Sequence, residues 1–281
     1  MSVTLGITAY NEEKNIGKLL DMLLKEKFLF NQKEIIIVAS GCTDRTPEIV
    51  EKLASENKKI KLVLEGKRNG KASAINIILK KAKGDVIVFI CADNLPRINS
   101  INKIVEKFNN ESIGAVSGRP IPIENRNTIF GFVNNLIWDL HHEICIKKPK
   151  ISGEFFGLRR GIVKKIPYNI INDDGYITGI VRKNYEIDYA KDAITYMTGI
   201  NDFFSHIRRR RRIARGYIQL RKVGLNVDTL FDLKIKSFIR CIRKEPQNFH
   251  KIFFALTLEI IVNILAFYDT IRRVTPYCWE R

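Results

Sequence analysis

The run Val86 to Ile90 is apolar at every position, with Gly84 and Asp85 before it and Asp93, Asn94 and Pro96 after it. A half-buried strand alternates, so an unbroken apolar run reads as a strand covered on both faces, as in a parallel sheet. The stretch Gly70-Lys71-Ala72-Ser73-Ala74-Ile75-Asn76 upstream reads as a glycine turn entering a helix. Ligands of such sheets bind beyond the carboxyl ends of the strands. Asp93 therefore falls where a metal-bound phosphate is expected.

The residues before this point repeat the pattern. Val3 to Ile7, Ile35 to Val38 and Ile60 to Leu64 read as strands, and Ile16, Leu19, Leu20, Leu23 and Leu24 give the first helix one apolar face. Pro47 sits just inside a second helix, with Thr46 as its expected N-cap. Strands alternating with helical crossovers predict an α/β fold, a doubly wound and mostly parallel sheet with helices on both faces. After Ile113 to Gly118 the alternation breaks at Pro120 and Pro122. There follow a long helix marked by Ile129, Val133, Leu136, Ile137 and Leu140, a short apolar stretch from Phe155 to Leu158, and the acids Asp173 and Asp174. A strand over Asp188 to Thr198, a very basic helix around Arg208 to Arg215 and two further helical patterns complete the chain.

The 281 residues carry a formal net charge of +18, which calls for an anionic partner: nucleic acid, a lipid surface or a phosphorylated substrate. The five cysteines form no C-x-x-C pair, which argues against zinc or disulfide frameworks and fits a reducing cytosol. The N-terminus enters a strand at once, so no signal peptide is expected. Gly66-Lys67-Arg68-Asn69-Gly70-Lys71-Ala72 is one residue short of a Walker loop and has Ala72 where the hydroxyl belongs, and no G-x-G-x-x-G follows the first strand. These gaps disfavour a P-loop ATPase or a dinucleotide dehydrogenase.

Four loops at strand ends, Thr8-Ala9-Tyr10-Asn11-Glu12-Glu13, Ser40 to Thr46, Asn69-Gly70-Lys71 with Ala74 and Asn76, and Cys91-Ala92-Asp93 with Pro96, come in order. Together they closely resemble the nucleotide-binding half of the family 2 glycosyltransferases, inverting enzymes of the GT-A fold. The resemblance spans about residues 3–120 and continues more weakly through Gly153, Arg159-Arg160, Asp173-Asp174 and the arginine-rich segment. It implies a catalytic domain over 1–222, with a nucleotide-binding half to about 120 and an acceptor half over 121–222.

The resemblance implies a role for each residue. Ala9, Tyr10 and Glu12 lie on the loop that holds base and ribose. Ser40 stands where the family has an acid that pairs with the base, which leaves uridine and guanosine both open. Lys71 suits the diphosphate. Asp93 matches the last acid of the family's D-x-D motif and would bind Mg2+ or Mn2+, because a nucleotide diphosphate brings most of the oxygen ligands itself. Cys91 replaces the motif's first acid, and a thiol is a poor ligand for a hard cation. Asp174 aligns with the acid of the family's E-D pair, with Asp173 in the glutamate's place, and is expected to deprotonate the acceptor. In the arginine run, Arg209 takes the glutamine's place in the family's Q-x-x-R-W segment, Arg212 the arginine's, and Ile213 the tryptophan's. Those arginines would clamp the diphosphate or a lipid-phosphate acceptor, the others being solvated or facing lipid headgroups, and His206 offers a further metal ligand.

Ile252 to Tyr268 is almost wholly apolar, yet Glu259 and Asn263, four apart, share one helical face. Burying Glu259 in a bilayer is expensive, so residues 223–281, with Lys234, Lys236, Arg240, Arg243 and Lys244, are expected to lie at a membrane surface. A transmembrane helix, or one packed on the catalytic domain or in a homodimer, are the alternatives. The expected activity is metal-dependent, inverting sugar transfer from a nucleotide-diphosphate donor at the cytoplasmic membrane face, to a glycan, a lipid-linked glycan or a polyprenyl phosphate. The rivals are a nucleotidyltransferase and a degenerate basic binding protein on the same scaffold. Without a recognisable nucleic-acid module, the arginine run is not assigned to nucleic acid.

Overall fold

A computed structural model describes residues 1–225, 227 and 245–272. The strands are β1 (Ser2–Ala9), β2 (Asn31–Ser40), β3 (Ile60–Glu65), β4 (Val86–Cys91), β5 (Leu95–Pro96), β6 (Ile113–Pro122), β7 (Phe155–Arg159) and β8 (Glu186–Met197). The helices are α1 (Ile16–Lys25), α2 (Thr46–Glu56), α3 (Lys71–Lys81), α4 (Ser100–Glu106), α5 (Ile129–Lys147), α6 (Asp173–Val181), α7 (Phe203–Lys222) and α8 (Phe249–Ile271). The penultimate helical pattern, with Lys234 to Lys244, lies outside the described residues.

One sheet runs in the order β3-β2-β1-β4-β7-β6-β8-β5. β1 is parallel to β2 and β4, β2 to β3, and β6 to β8, while β7 is antiparallel to both β4 and β6, and β5 to β8. The sheet is thus mixed, though mostly parallel. The unassigned stretch Phe155 to Leu158 is the reversed strand, and its reversal brings the residue before it beside the carboxyl end of β4.

Alternation along each buried strand divides the core. Val3, Leu5, Ile7, Ile35, Ile37, Val86 and Val88 turn to one face, where Leu19, Leu20, Val50, Ile104 and Phe108 cover them. Ile36, Val38, Ile87, Phe89 and Phe156 turn to the other, under Ile75, Ile78, Ile177 and Leu220. Each such side chain contributes about 1.5–3 kcal/mol by leaving water. A third cluster joins α5 (Phe132, Val133, Leu136, Leu140) to α8 (Ile252, Ala255).

The start of α2 corrects the expected cap. Thr46 is the first helical residue, not the N-cap, and its backbone N–H donates to Asp44 Oδ1 at 3.0 Å. Its hydroxyl instead accepts from Glu12 N at 2.7 Å, tying the first two strand-end loops together.

Candidate active site

Parallel strands end side by side, so the loops after β1, β2 and β4 converge at one edge of the sheet. There a cavity of about 820 Å³ takes in all eight residues expected to hold a donor: Ala9, Tyr10, Glu12, Ser40, Lys71, Asp93, Arg209 and Arg212. Arg68 stacks over the Tyr10 ring with its guanidinium 3.8 Å from the centroid. The buried Glu12 accepts from Asn15 Nδ2 at 2.7 Å. Ser40 Oγ is buried with no hydrogen-bond partner, so a ligand group can take that bond.

Asp93 does not stand alone. Ligand atoms of Cys91, Asp93 and Glu154 all lie within 4.8 Å of one another. Cys91 donates to Gly153 O at 3.3 Å, and burial raises its pKa despite Lys71 beside it, so it is a neutral thiol near pH 7. Glu154 supplies the second carboxylate. Burial would raise its pKa, but Arg209 and Lys71 outweigh burial and hold it low. Asn94, donating to Glu154 Oε2 at 3.3 Å, keeps a buried and unpartnered Oδ1 nearby. Two carboxylates and an unused amide oxygen suit a hard divalent cation. His206 is not part of the cluster. It is buried against Phe130, and desolvation with Arg210 close by lowers its pKa to about 4.

Sequence reasoning missed Glu154. Its one signal was an acid directly before the Phe155 to Leu158 run. In an antiparallel neighbour of β4 that position meets the ligand edge, and Cys91 N donates to Glu154 O at 3.2 Å.

A second cavity, of about 170 Å³, lies across α7 and is bordered by Asp173 and Asp174. Only Lys71, Glu154, Arg209 and Arg212 line both cavities. At this junction Arg209 binds Glu154 at 3.0 Å, and Lys71 donates to Gly153 O at 2.6 Å and Cys91 Sγ at 3.1 Å. Burial works against the Lys71 charge, but negative neighbours (Cys91 when ionised, Asp173, Glu154) outweigh it and raise its pKa. Gly153 packs closely at this junction: a Cβ would stand 3.2 Å from Lys71 Nζ and 3.5 Å from Asp174 Oδ2.

The two aspartates differ. Asp174 accepts from Gly175 N at 2.7 Å and Gly153 N at 3.2 Å, and burial and the adjacent Asp173 raise its pKa. A raised pKa makes a carboxylate a better base. Asp173 Oδ1 accepts from Asp174 N at 3.0 Å, while its Oδ2 is buried without a partner.

The arginine run is sorted by helical phase. Arg210 forms a two-point pair with Glu259 of α8, at 2.6 and 2.8 Å, and Arg211 pairs with Asp269. Arg210 is therefore withdrawn from solvent and lipid, which corrects the expectation for it, while Arg211 is paired but keeps a partly exposed side chain at the large cavity. Desolvation lowers the Arg212 pKa to about 10. Glu259 and Asn263 share a face, as expected, and that face borders the second cavity. The opposite side of α8 exposes Phe253, Ile260, Ile264, Phe267 and Ile271.

Comparison with known proteins follows the same outline. The profile of "Glycosyl transferase family 2" matches residues 4–167, more than half of the chain. A poly-beta-1,6-N-acetyl-D-glucosamine synthase of Staphylococcus aureus is 28% identical over 208 residues, covering 69% of this chain and 49% of that protein. The chain thus spans about half the length of such curated relatives. A mannosyltransferase from Pyrobaculum calidifontis, solved with GDP-Man and Mn2+, superposes with a TM-score of 0.62 at 21% identity, covering 98% of this chain and 81% of the other. TarS of S. aureus (1-349), solved with UDP-GlcNAc, gives 0.53 at 15% identity over 100% of this chain and 93% of that one. The likeness to both structures is one of fold.

Proposed function

Because the chain belongs to glycosyl transferase family 2, we propose that it is an inverting glycosyltransferase moving a sugar from a nucleotide-diphosphate donor to an acceptor hydroxyl or lipid phosphate. One observation carries the reading. A carboxylate pair, Asp93 and Glu154, faces the large cavity, a second pair, Asp173 and Asp174, faces the small one, and cations fill the junction between them. A transfer with inversion needs that separation, since the acceptor attacks from the side opposite the leaving diphosphate.

The donor fits the large cavity, with Tyr10, Glu12 and Ser40 at the nucleoside end and Lys71, Arg209 and Arg212 about the diphosphate. The names of the two solved neighbours, with GDP-Man and UDP-GlcNAc, support a nucleotide sugar without choosing the base. Asp93 and Glu154 would hold Mg2+ or Mn2+. Bound there, the ion supplies positive charge for the departing diphosphate. Asp174, its pKa raised by burial and by Asp173, takes the acceptor proton, and Asp173 offers Oδ2 to the acceptor.

Action at the cytoplasmic membrane face is part of the proposal. By length and composition Pro246–Ile271 could cross a bilayer. Its acids point to α7, however, and an exposed apolar stripe about 27 Å long remains for contact with lipid. An in-plane helix satisfies both facts, and an acceptor reaching the second cavity from the membrane, a polyprenyl phosphate or a lipid-linked glycan, fits such a position.

The test is a panel of UDP- and GDP-sugars with Mg2+ or Mn2+, with vesicles bearing polyprenyl phosphate or with oligosaccharide as acceptor. Release of nucleoside diphosphate with formation of a glycosylated product is expected. Release of pyrophosphate from a nucleoside triphosphate and a sugar phosphate would instead identify a nucleotidyltransferase.

A further inference from the structure

Arg215 lies one turn beyond Arg212 on α7 and is 5% exposed. Its Nη1 is buried with no hydrogen-bond partner, and it takes part in no side-chain hydrogen bond or ion pair among the described residues. Three other arginines of α7 that line the donor cavity are paired: Arg208 donates to Ser205 Oγ at 3.1 Å, Arg209 binds Glu154 at 3.0 Å, and Arg211 is held by Asp269. A guanidinium removed from water is costly without a counter-charge, and nearly every buried one has a partner.

The same cavity contains the start of α3. Gly70, Lys71 and Ala74 line it with Arg215. Gly70 is the N-cap, at φ 84°, a backbone state that suits glycine, and no side chain caps the helix. The first-turn N–H groups of an α-helix lack intrahelical partners and carry the positive end of its dipole, so an uncapped N-terminus attracts an anion. Lys71, the first residue of α3, adds a full positive charge.

We propose that Arg215 and the N-terminus of α3 form a phosphate subsite of the donor cavity, which holds a phosphate of the nucleotide in addition to the charge neutralised at Asp93 and Glu154. This rests on the donor reading above and deepens it. Arg215 acts in binding: among the described residues its charge is uncompensated, and the nucleotide supplies the counter-charge. The aligned arginine, Arg212, would then be one of two successive turns of α7 that grip the leaving group.

Isothermal titration of the full-length chain with UDP, GDP, UDP- and GDP-sugars and pyrophosphate in Mn2+ tests the subsite, with Arg215→Met and Arg215→Lys as variants. Arg215→Met should weaken whichever diphosphate binds by about 10- to 100-fold, the usual loss for a hydrogen bond to a charged group. Arg215→Lys should recover part of it, keeping the charge without the fork. Thermal melting without ligand separates binding from packing: Arg215→Met should melt no lower than wild type, since the variant removes an uncompensated charge. Diphosphate affinity within about twofold of wild type, or a ligand-free Tm that drops in Arg215→Met and is restored in Arg215→Lys, overturns the proposal. Arg215-dependent binding of pyrophosphate with no binding of UDP- or GDP-sugars keeps the subsite and overturns the donor reading. Tight nucleotide-sugar binding that is indifferent to Arg215 does the reverse. A wild-type chain that binds none of these anions overturns both.

Discussion

The two walls of the donor cavity are held by different forces. The β1–β4 wall rests on layers of valine, isoleucine and leucine buried on both faces of the sheet, and only its loop ends are polar. The α7 wall carries a run of arginines and is keyed to α8 by two ion pairs, Arg210 to Glu259 and Arg211 to Asp269. Apolar layers tolerate exchange of one side chain for another of similar volume, and their contribution changes little with pH or salt. Ion pairs in a half-buried seam need both partners, since either one alone leaves a desolvated charge. On this contrast α8 is more than an attachment: its acids hold Arg210 at the second cavity and Arg211 at the first as ion pairs.

The largest expected effect comes from the floor between the two walls. Replacing both Asp93 and Glu154 by their amides should lower turnover by about 10³-fold and abolish any stabilisation by Mn2+, read as a Tm shift at millimolar Mn2+. A double variant that Mn2+ still stabilises as it does the wild type would remove both Asp93 and Glu154 from the metal assignment.

Next in size is the seam. Glu259→Ala should cost about 3–5 kcal/mol of stability in urea unfolding, because Arg210 stays buried without its partner. The pair replacement Arg210→Met with Glu259→Met should recover most of that, since apolar side chains of similar size avoid the desolvation cost. Equal losses in the single and the pair variant would mean that packing, not charge, joins α7 to α8.

His206 supplies a smaller effect with a defined sign. Its folded pKa is depressed, from 6.5 to about 4, by burial and by Arg210. The unfolded chain therefore binds the proton first. The stabilising contribution is complete above pH 6.5 and is lost as pH falls toward 4, by about 3 kcal/mol at most. His206→Phe should flatten the stability profile over that window, and a profile identical to wild type would show that other groups govern it. The smallest effect belongs to the exposed apolar side of α8. Ile260→Ser with Ile264→Ser should weaken binding to anionic vesicles by about 10-fold while the Tm changes little, and unchanged co-sedimentation with vesicles would take the membrane contact away from this stripe.

The same contrast explains what could be read from the chain. Buried parallel strands announce themselves as apolar runs, so β1 to β4 and the loops at their ends were legible from local pattern and resemblance. β7 was not, because Phe155 to Leu158 has the same apolar character in either direction, and direction is set by pairing. Glu154 was lost with it. The pairs on α7 were also hidden: Arg210 and Glu259 are 49 residues apart, and no local period links them. Glu259 interrupts an apolar run, and its partner Arg210 could not be read from that run. The N-cap at Thr46 failed for another reason. Its hydroxyl serves the neighbouring loop at Glu12, a long-range bond that overrides the local preference.

The central claim is that the two carboxylate pairs on either side of the junction do separate jobs. The most direct measurement follows donor binding and turnover together, by titration with a nucleotide sugar in Mn2+ and by nucleoside diphosphate release, in Asp93→Asn and Asp174→Asn. Asp174→Asn should bind the donor within about threefold of wild type and lose about 10²- to 10⁴-fold in kcat, the range for a missing general base. Asp93→Asn should lose Mn2+-dependent donor binding itself. Full turnover in Asp174→Asn, or donor binding that is lost there and kept in Asp93→Asn, would contradict the account.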